Sequence, residues 1–128
     1  MLAVAVVFGL VAGLLHVGFW VMESVLWRQP RIWKRFGVKS QGDADLMAFG
    51  MLNQGYYNLF LGLGAIYAAM DSHFEVLYSG FPRRLLGFCC LFMVGAAVVL
   101  FVARRSMLRA ALIQGVPPTI ALVALVLA

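Results

Sequence analysis

Apolar residues dominate four long stretches of the chain, and short polar segments separate them. The stretches cover approximately residues 1–27, 46–70, 85–103 and 110–128. Each is close to the roughly 20 residues that a helix needs to cross a bilayer. Their apolar residues are continuous rather than alternating, which excludes the pattern of a membrane β-barrel. The pattern predicts an all-α fold, with residues 1–128 forming a single domain of four transmembrane helices in a compact bundle.

Composition supports a membrane location. The chain of 128 residues is 64% hydrophobic and 12% charged, and its mean hydropathy is +0.96. Soluble domains carry about 25% charged residues. We therefore expect an integral membrane protein whose first partner is the lipid bilayer.

Positive charge is concentrated in the first and third connecting segments. Eight of the ten basic residues lie there: Arg28, Arg31, Lys34, Arg35, Lys39, Arg104, Arg105 and Arg109. In a chain of four spans these two segments lie on the same side, and the positive-inside rule places that side in the cytoplasm. We expect a multi-pass protein of the bacterial cytoplasmic (inner) membrane with both termini extracytoplasmic. The same placement accounts for the net charge of +5 without nucleic acid as a partner.

The first stretch contains one charged residue, Glu23, and one histidine, His16. They are seven positions apart, so on a helix they lie within about 20° of each other. Trp20 and Trp27 fall on the same stripe. A carboxylate inside a spanning helix costs ~3 kcal/mol on insertion scales. We therefore expect Glu23 to face protein, within hydrogen-bond reach of an amide or hydroxyl of the second or fourth stretch.

Uncharged polar residues in two other stretches lie at a similar depth. The predicted ligand-binding or proton-relay residues are His16, Glu23, Asn53, Gln54, Tyr57, Asn58 and Gln114. Unpaired amides cost several kcal/mol each in hydrocarbon, so we expect these groups to converge in a polar pocket in the inner leaflet. Pro117 and Pro118 cannot donate backbone hydrogen bonds and predict a kink in the fourth helix.

The residue types in the chain limit the metals, cofactors and reactions that it can support. Only His16 and Glu23 are available as metal ligands within the apolar stretches, whereas a closed metal site usually needs three or four. We expect no metal and no cofactor. The chain shows no nucleophile–base pair, phosphate loop or nucleotide fingerprint, so a protein without enzymatic activity is favoured over an enzyme.

These motifs resemble a family of small bacterial integral membrane proteins known as domain of unknown function 1304. The family pattern has His16 and Glu23 in the first span, followed by Leu26–Trp27, Pro30–Arg31 and Arg35–Phe36–Gly37. Its second-span motif, N-Q-G-x-Y-N-x-F-L, corresponds to residues 53–61, and its Q-x-x-P-A motif to residues 114–118, where Pro118 replaces the alanine. Leu15 stands where the family usually has an acidic residue. The resemblance covers nearly the whole chain and implies a four-helix membrane protein; it carries no established activity.

Three functions remain open from the sequence. In the first, the pocket binds a small or amphipathic ligand or relays protons. Such a protein is expected to form a homodimer, because four spans are few for a transporter. In the second, the chain is a non-catalytic accessory subunit of a larger membrane complex, with glycine-rich faces that pack against other helices. The third, an intramembrane isomerase similar in architecture to the emopamil-binding isomerases, is an analogy of fold alone.

Overall fold

The computed structural model describes residues 1–74 and 80–128, and the side chains of residues 72–74 are excluded. Every regular element in these two ranges is helical. The helices are α1 (Leu2–Trp20), α2 (Pro30–Trp33), α3 (Gln41–Phe74), α4 (Phe81–Ala103) and α5 (Leu108–Val126). A π-helical turn, Val21–Val25, continues α1, and short 3₁₀ turns cover Lys34–Phe36 and Arg105–Met107. The predicted all-α class is confirmed.

The expected number of apolar spans is corrected from four to three. Within the described residues, the segments long and apolar enough to cross a membrane are Leu2–Val25, Phe81–Ala103 and Arg105–Val126. Helix α3 has 34 residues, about 51 Å at 1.5 Å per residue, so its length is sufficient. Its composition is not, because the amides and tyrosines of residues 53–58 lower its mean hydropathy.

The four long helices pack side by side in a closed order. Helices α1 and α4 both pack against α3 on one side and α5 on the other. Most side chains of the shared core are small, including Ala12, Ala65, Cys90 and Ala121, while Leu86 and Met93 fill the larger spaces. Small residues allow close backbone approach, which is how helices associate without a hydrophobic driving force between them.

Helices α1 and α3 approach most closely at Gly13 and Gly62. A Cβ atom on Gly62 would lie 2.7 Å from the Gly13 carbonyl oxygen, and one on Gly13 would lie 2.8 Å from the Gly62 carbonyl oxygen. The two backbones therefore touch with no room for a side chain. Gly9, also on α1, faces Leu86 of α4.

The first connecting segment folds back onto the start of α3. Trp27 and Trp33 pack around Ala44, and the Trp27 Nε1 donates to the Ala44 carbonyl at 2.9 Å. Ser40 caps α3: its hydroxyl accepts from the Asp43 backbone N–H at 3.1 Å and donates to the Asp43 carboxylate. The first of these bonds is the N-cap contact that satisfies a free N–H of the first turn.

The first and third connecting segments meet at one end of the molecule. The Arg104 Nη1 donates to the Phe36 carbonyl at 3.1 Å. Gly37 follows with a positive φ of 76°, and a Cβ there would lie 3.0 Å from the Arg104 guanidinium. Glycine suits this position because it adopts a positive φ without strain and because a side chain here would crowd the Arg104 guanidinium.

Candidate functional site

Glu23 lies in the middle of the π-helical turn that ends the first apolar helix. The turn covers Val21–Val25, and the Leu26 backbone N–H closes it by donating to the Val21 carbonyl at 2.8 Å. A π turn widens the helix by one residue and re-aims the side chains that follow it. Such turns frequently occur at functional sites. Here the turn places a carboxyl that is only 8% exposed against α3.

Asn58 of α3 binds Glu23 directly. Its Nδ2 donates to the Glu23 Oε2 at 2.6 Å, and the Asn58 side chain is also 8% exposed. The expectation that Glu23 faces the protein interior, within reach of an amide of the second stretch, is confirmed. The pair joins α1 to α3 through a buried polar contact, and removing either partner would leave the other without its hydrogen bond.

Gly55 makes room for this contact. A Cβ at that position would collide with the Ser24 hydroxyl and lie 3.1 Å from the Glu23 Cβ. The Ser24 hydroxyl in turn donates to the Leu52 carbonyl at 3.0 Å. The π turn therefore rests directly on the backbone of α3.

His16 lies two turns before Glu23, and one of its ring nitrogen atoms has no hydrogen-bond partner among the described residues. Its side chain is 1% exposed, and its Nδ1 lies 2.9 Å from the Ala12 carbonyl. A carbonyl can only accept, so Nδ1 carries a proton, and in the neutral ring Nε2 is then an acceptor. Nε2 is buried and has no partner among the described residues.

Trp20 lies between His16 and Glu23 on α1 and also has an unused polar atom. Its Nε1–H is buried and without an acceptor in the described part of the chain. Residues 16 and 20 are one turn apart on α1, so their side chains are neighbours. An unsatisfied acceptor and an unsatisfied donor therefore lie on neighbouring side chains. A hydroxyl or water placed between them would donate to His16 and accept from Trp20.

An apolar surface groove runs along a different side of α1. The residues that line it are Val11, Leu14, Leu15, Gly18, Phe19 and Met22. At 100° per residue most of them lie about 120–180° around the helix from Trp20. Phe19, at the edge of the groove, contacts the His16 ring edge-to-face, with ring centroids 5.2 Å apart.

The other predicted site residues do not reach Glu23. Asn53, Gln54 and Tyr57 are exposed on the outer side of α3. Gln114 of α5 is half-buried. None of these amides makes a hydrogen bond among the described residues. The structure therefore brings together Glu23 and Asn58, with His16 further along the same helix, and leaves the remaining polar residues apart.

The fourth apolar stretch stays helical through Pro117 and Pro118, both within α5. The Thr119 hydroxyl donates to the Gly115 carbonyl at 2.7 Å. The carbonyls that lose an N–H donor to the two prolines are those of Ile113 and Gln114, so the Thr119 bond adds to the Gly115 carbonyl and does not replace a lost donor. Pro118 is buried in the core, whereas Pro117 is half-buried. The prolines therefore belong to the packing of α5 and lie away from the Glu23–Asn58 pair.

Two features of the site were not predicted as such. The π turn has no sequence pattern of its own. Trp20 was placed on the polar stripe without a role, because whether an indole N–H finds an acceptor depends on the helix opposite.

No group of three histidines, cysteines or carboxylates suited to a metal ion occurs in residues 1–74 and 80–128.

The chain belongs to the protein family described as "Protein of unknown function (DUF1304)", which it matches over residues 2–126. This match confirms the resemblance carried by the His16–Glu23 spacing and the motif of residues 53–61. No curated protein matches the chain, and no solved structure matches it either.

Proposed function

We propose that this protein is a multi-pass membrane protein without enzymatic activity that binds the polar end of a small amphipathic ligand between α1 and α3. In this proposal α3 lies across the bilayer beside the three apolar spans. Of its amides, Asn58 is covered by α1 and paired with Glu23, which is how polar groups are tolerated inside a membrane.

The observation that carries the proposal is that the His16 Nε2 and the Trp20 Nε1 are both buried without a hydrogen-bond partner among the described residues. Buried polar groups are nearly always hydrogen-bonded, so an adjacent acceptor and donor without partners indicate a missing polar group. Glu23 and Asn58 add a second polar contact on the same stripe of α1. A hydroxyl head group fits these buried atoms, and an apolar tail attached to it would extend into the surrounding lipid.

A proton relay is the second candidate, and a buried water would serve it. His16 and Glu23 are the two ionisable side chains buried in this region, about 10 Å apart along the helix axis at 1.5 Å per residue. Water between them would satisfy the same two atoms as a ligand hydroxyl. An amphipathic ligand is heavier than a water molecule, so the mass of the bound species distinguishes the two candidates.

Native mass spectrometry of the protein extracted in mild detergent tests the proposal. We expect a discrete adduct heavier than water on the wild-type chain. Trp20→Phe keeps the ring and removes the N–H donor, so it should reduce the adduct roughly tenfold, the effect of about 1.4 kcal/mol. His16→Leu should have a similar effect.

Trp33→Phe is the matched control. The Trp33 Nε1 is also buried without a partner among the described residues, but it lies in the cluster around Ala44. This variant should keep the adduct. A wild-type protein that carries nothing heavier than water, or an adduct retained in both Trp20→Phe and His16→Leu, contradicts ligand binding at this site.

A further inference from the structure

An apolar groove runs along the surface between α4 and α5, and we call it the α4–α5 groove. Its floor consists of the small residues Ala97, Ala111 and Gly115. A Cβ atom on Gly115 would lie 2.8 Å from the Ala97 Cβ, so the two helices touch and close the groove from below. Exposed apolar side chains such as Val98 and Leu112 form its walls. The groove is therefore a surface channel that suits a thin apolar chain.

The length of the α4–α5 groove matches one leaflet of a bilayer. Along α5 it extends from Leu108 to Thr119, which is about 16 Å at 1.5 Å per residue. The hydrocarbon core of a bilayer is about 30 Å thick, so one leaflet contributes about half of that thickness. The groove begins at the first residue of α5, directly after the basic third connecting segment. An acyl chain that enters beside this segment therefore has a channel of its own length.

Arg105 lies at the end of the groove where α4 and α5 meet the third connecting segment. Its guanidinium Cζ is 5.2 Å from the centroid of the Phe101 ring, and Phe101 lines the groove. This cation–π contact holds the positive charge at the entrance of the groove. Arg105 is exposed and makes no ion pair or hydrogen bond among the described residues, whereas Arg104 donates to the Phe36 carbonyl. The N–H donors of Arg105 are therefore directed to no acceptor within the described chain.

The positive charge at the entrance has no acidic counterpart on the two helices that form the groove. All five aspartates and glutamates of the chain precede residue 80. Three arginines lie in or directly after the third connecting segment, namely Arg104, Arg105 and Arg109. At the start of α3, Asp43 and Asp45 accept hydrogen bonds from side chains of their own segment. The groove therefore joins an apolar channel to a positive cluster, which is complementary to an anionic head group on an apolar chain.

We propose that the α4–α5 groove binds one anionic phospholipid, with its phosphate at Arg105 and Arg109 and one acyl chain along the groove. A guanidinium binds phosphate oxygens through two parallel N–H bonds. Basic pockets between transmembrane helices on the cytoplasmic side bind anionic head groups, and this is the side expected for the third segment. A soluble phosphate compound would use the arginines alone and leave the groove empty, so a lipid is the occupant that fits both parts. The site shares no residue with the ligand site proposed between α1 and α3 and stands independently of it.

Native mass spectrometry of the delipidated protein with added lipid tests the head-group part of the site. The probes are phosphatidylglycerol and phosphatidylcholine with the same acyl chains, because they differ in net charge. We expect phosphatidylglycerol to bind at least about tenfold more tightly, and Arg105→Gln to remove most of this preference, since about tenfold is the loss expected for one hydrogen bond to a charged group. Arg28→Gln is the matched control. It removes the same charge from the first connecting segment, at the same end of the molecule, and should keep the preference.

Two neighbouring valines of α4 test the acyl-chain part of the site. Val98 lines the groove and is 55% exposed, whereas Val99 is 66% exposed and lies outside the lining. Val98→Phe puts a larger side chain into the channel and should weaken the binding of phosphatidylglycerol about tenfold. Val99→Phe makes the same change outside the groove and should leave binding unchanged. Trp20→Phe should also leave it unchanged, which separates this lipid from the adduct expected between α1 and α3.

Three results would overturn the proposal. One is equal affinity for the two phospholipids, which indicates that the groove takes any acyl chain. Another is an equal loss of phosphatidylglycerol in Arg105→Gln and Arg28→Gln, which indicates a general attraction to the basic end of the molecule. The last is equal affinity in Val98→Phe and Val99→Phe, which indicates that the arginines hold a phosphate group without the groove.

Discussion

At the scale of single residues, the hydrogen bond between Asn58 and Glu23 gives a sharp expectation for stability. Glu23→Gln keeps an oxygen that can accept from the Asn58 Nδ2, so thermal stability in detergent should stay close to that of the wild type. Glu23→Leu leaves that buried N–H unpaired and should cost about 1–3 kcal/mol. Thermal unfolding followed by circular dichroism measures both changes.

The double variant Glu23→Leu with Asn58→Leu is the control for this prediction. Replacing both partners by apolar groups removes the unpaired donor, so it should recover a large part of the loss. If Glu23→Leu alone is as stable as the wild-type protein, the pair contributes nothing measurable and the site is assigned to the wrong contact.

Residue-level prediction from the sequence succeeded for Glu23 and failed for the amides around Asn53. A charged side chain in an apolar helix costs least free energy when it faces protein. The spacing of His16, Trp20 and Glu23 identifies the side of the helix that does so. Depth alone matches Asn53 with Glu23 and Asn58 with His16, whereas the structure pairs Asn58 with Glu23, and five positions rotate a helix by about 140°. The two side chains therefore lie on different faces of α3, and which face is buried depends on Gly55 and Gly62. Those contacts become visible only when α1 and α3 are packed together.

At the scale of helices, the glycines of α3 divide into two kinds, and substitution should separate them. Gly62→Ala places a Cβ 2.7 Å from the Gly13 carbonyl oxygen, so α1 and α3 must move apart at a cost of about 1–3 kcal/mol. Gly50→Ala meets nothing within 4 Å and should instead stabilise the helix by roughly 0.5–1 kcal/mol. Chemical unfolding of the purified variants measures the two effects.

The opposite signs expected at Gly62 and Gly50 make this comparison internally controlled, since both positions lie on the same helix. Equal effects at the two positions would mean that helix propensity alone decides and that the close approach of α1 and α3 does not hold. Gly18→Ala on α1, where the space is also open, extends the control to the partner helix.

Helix-level prediction recovered the positions of the long helices and missed two properties. The continuous apolar runs located α1, α4 and α5 because length and hydropathy are sufficient for such segments. The fourth, α3, continues beyond its apolar stretch at both ends, since Ser40 caps it early. The π turn at Val21–Val25 also went unseen, because no sequence pattern predicts it and its contacts with Gly55 are visible only in the packed structure.

At the scale of the whole molecule, the contact between the first and third connecting segments bears on whether α3 crosses the membrane. Arg104 donates to the carbonyl of Phe36, so both basic segments lie at the same end of the helices. If α3 crosses, the two segments share one side of the bilayer, and both termini lie on the other. If only the three apolar segments of the described chain cross, the two basic segments fall on opposite sides.

Accessibility of single cysteines in intact cells distinguishes these arrangements. Three exposed positions report on the three places. Lys39→Cys lies in the first connecting segment, Ser106→Cys in the third, and Leu127→Cys directly after α5. The positive-inside rule places the two basic segments in the cytoplasm. We therefore expect a membrane-impermeant maleimide to label Leu127→Cys in intact cells and to label Lys39→Cys and Ser106→Cys only after lysis. The wild-type chain is the background, because Cys89 and Cys90 are buried.

The pattern of labelling separates an error of orientation from an error of topology. Labelling of positions 39 and 106 in intact cells, with position 127 protected, would invert the orientation and leave the four crossings intact. Opposite behaviour at positions 39 and 106 would mean that α3 stays on one side, in conflict with the Arg104–Phe36 contact. That second outcome would also place Asn53 outside the hydrocarbon, where water can satisfy its amide.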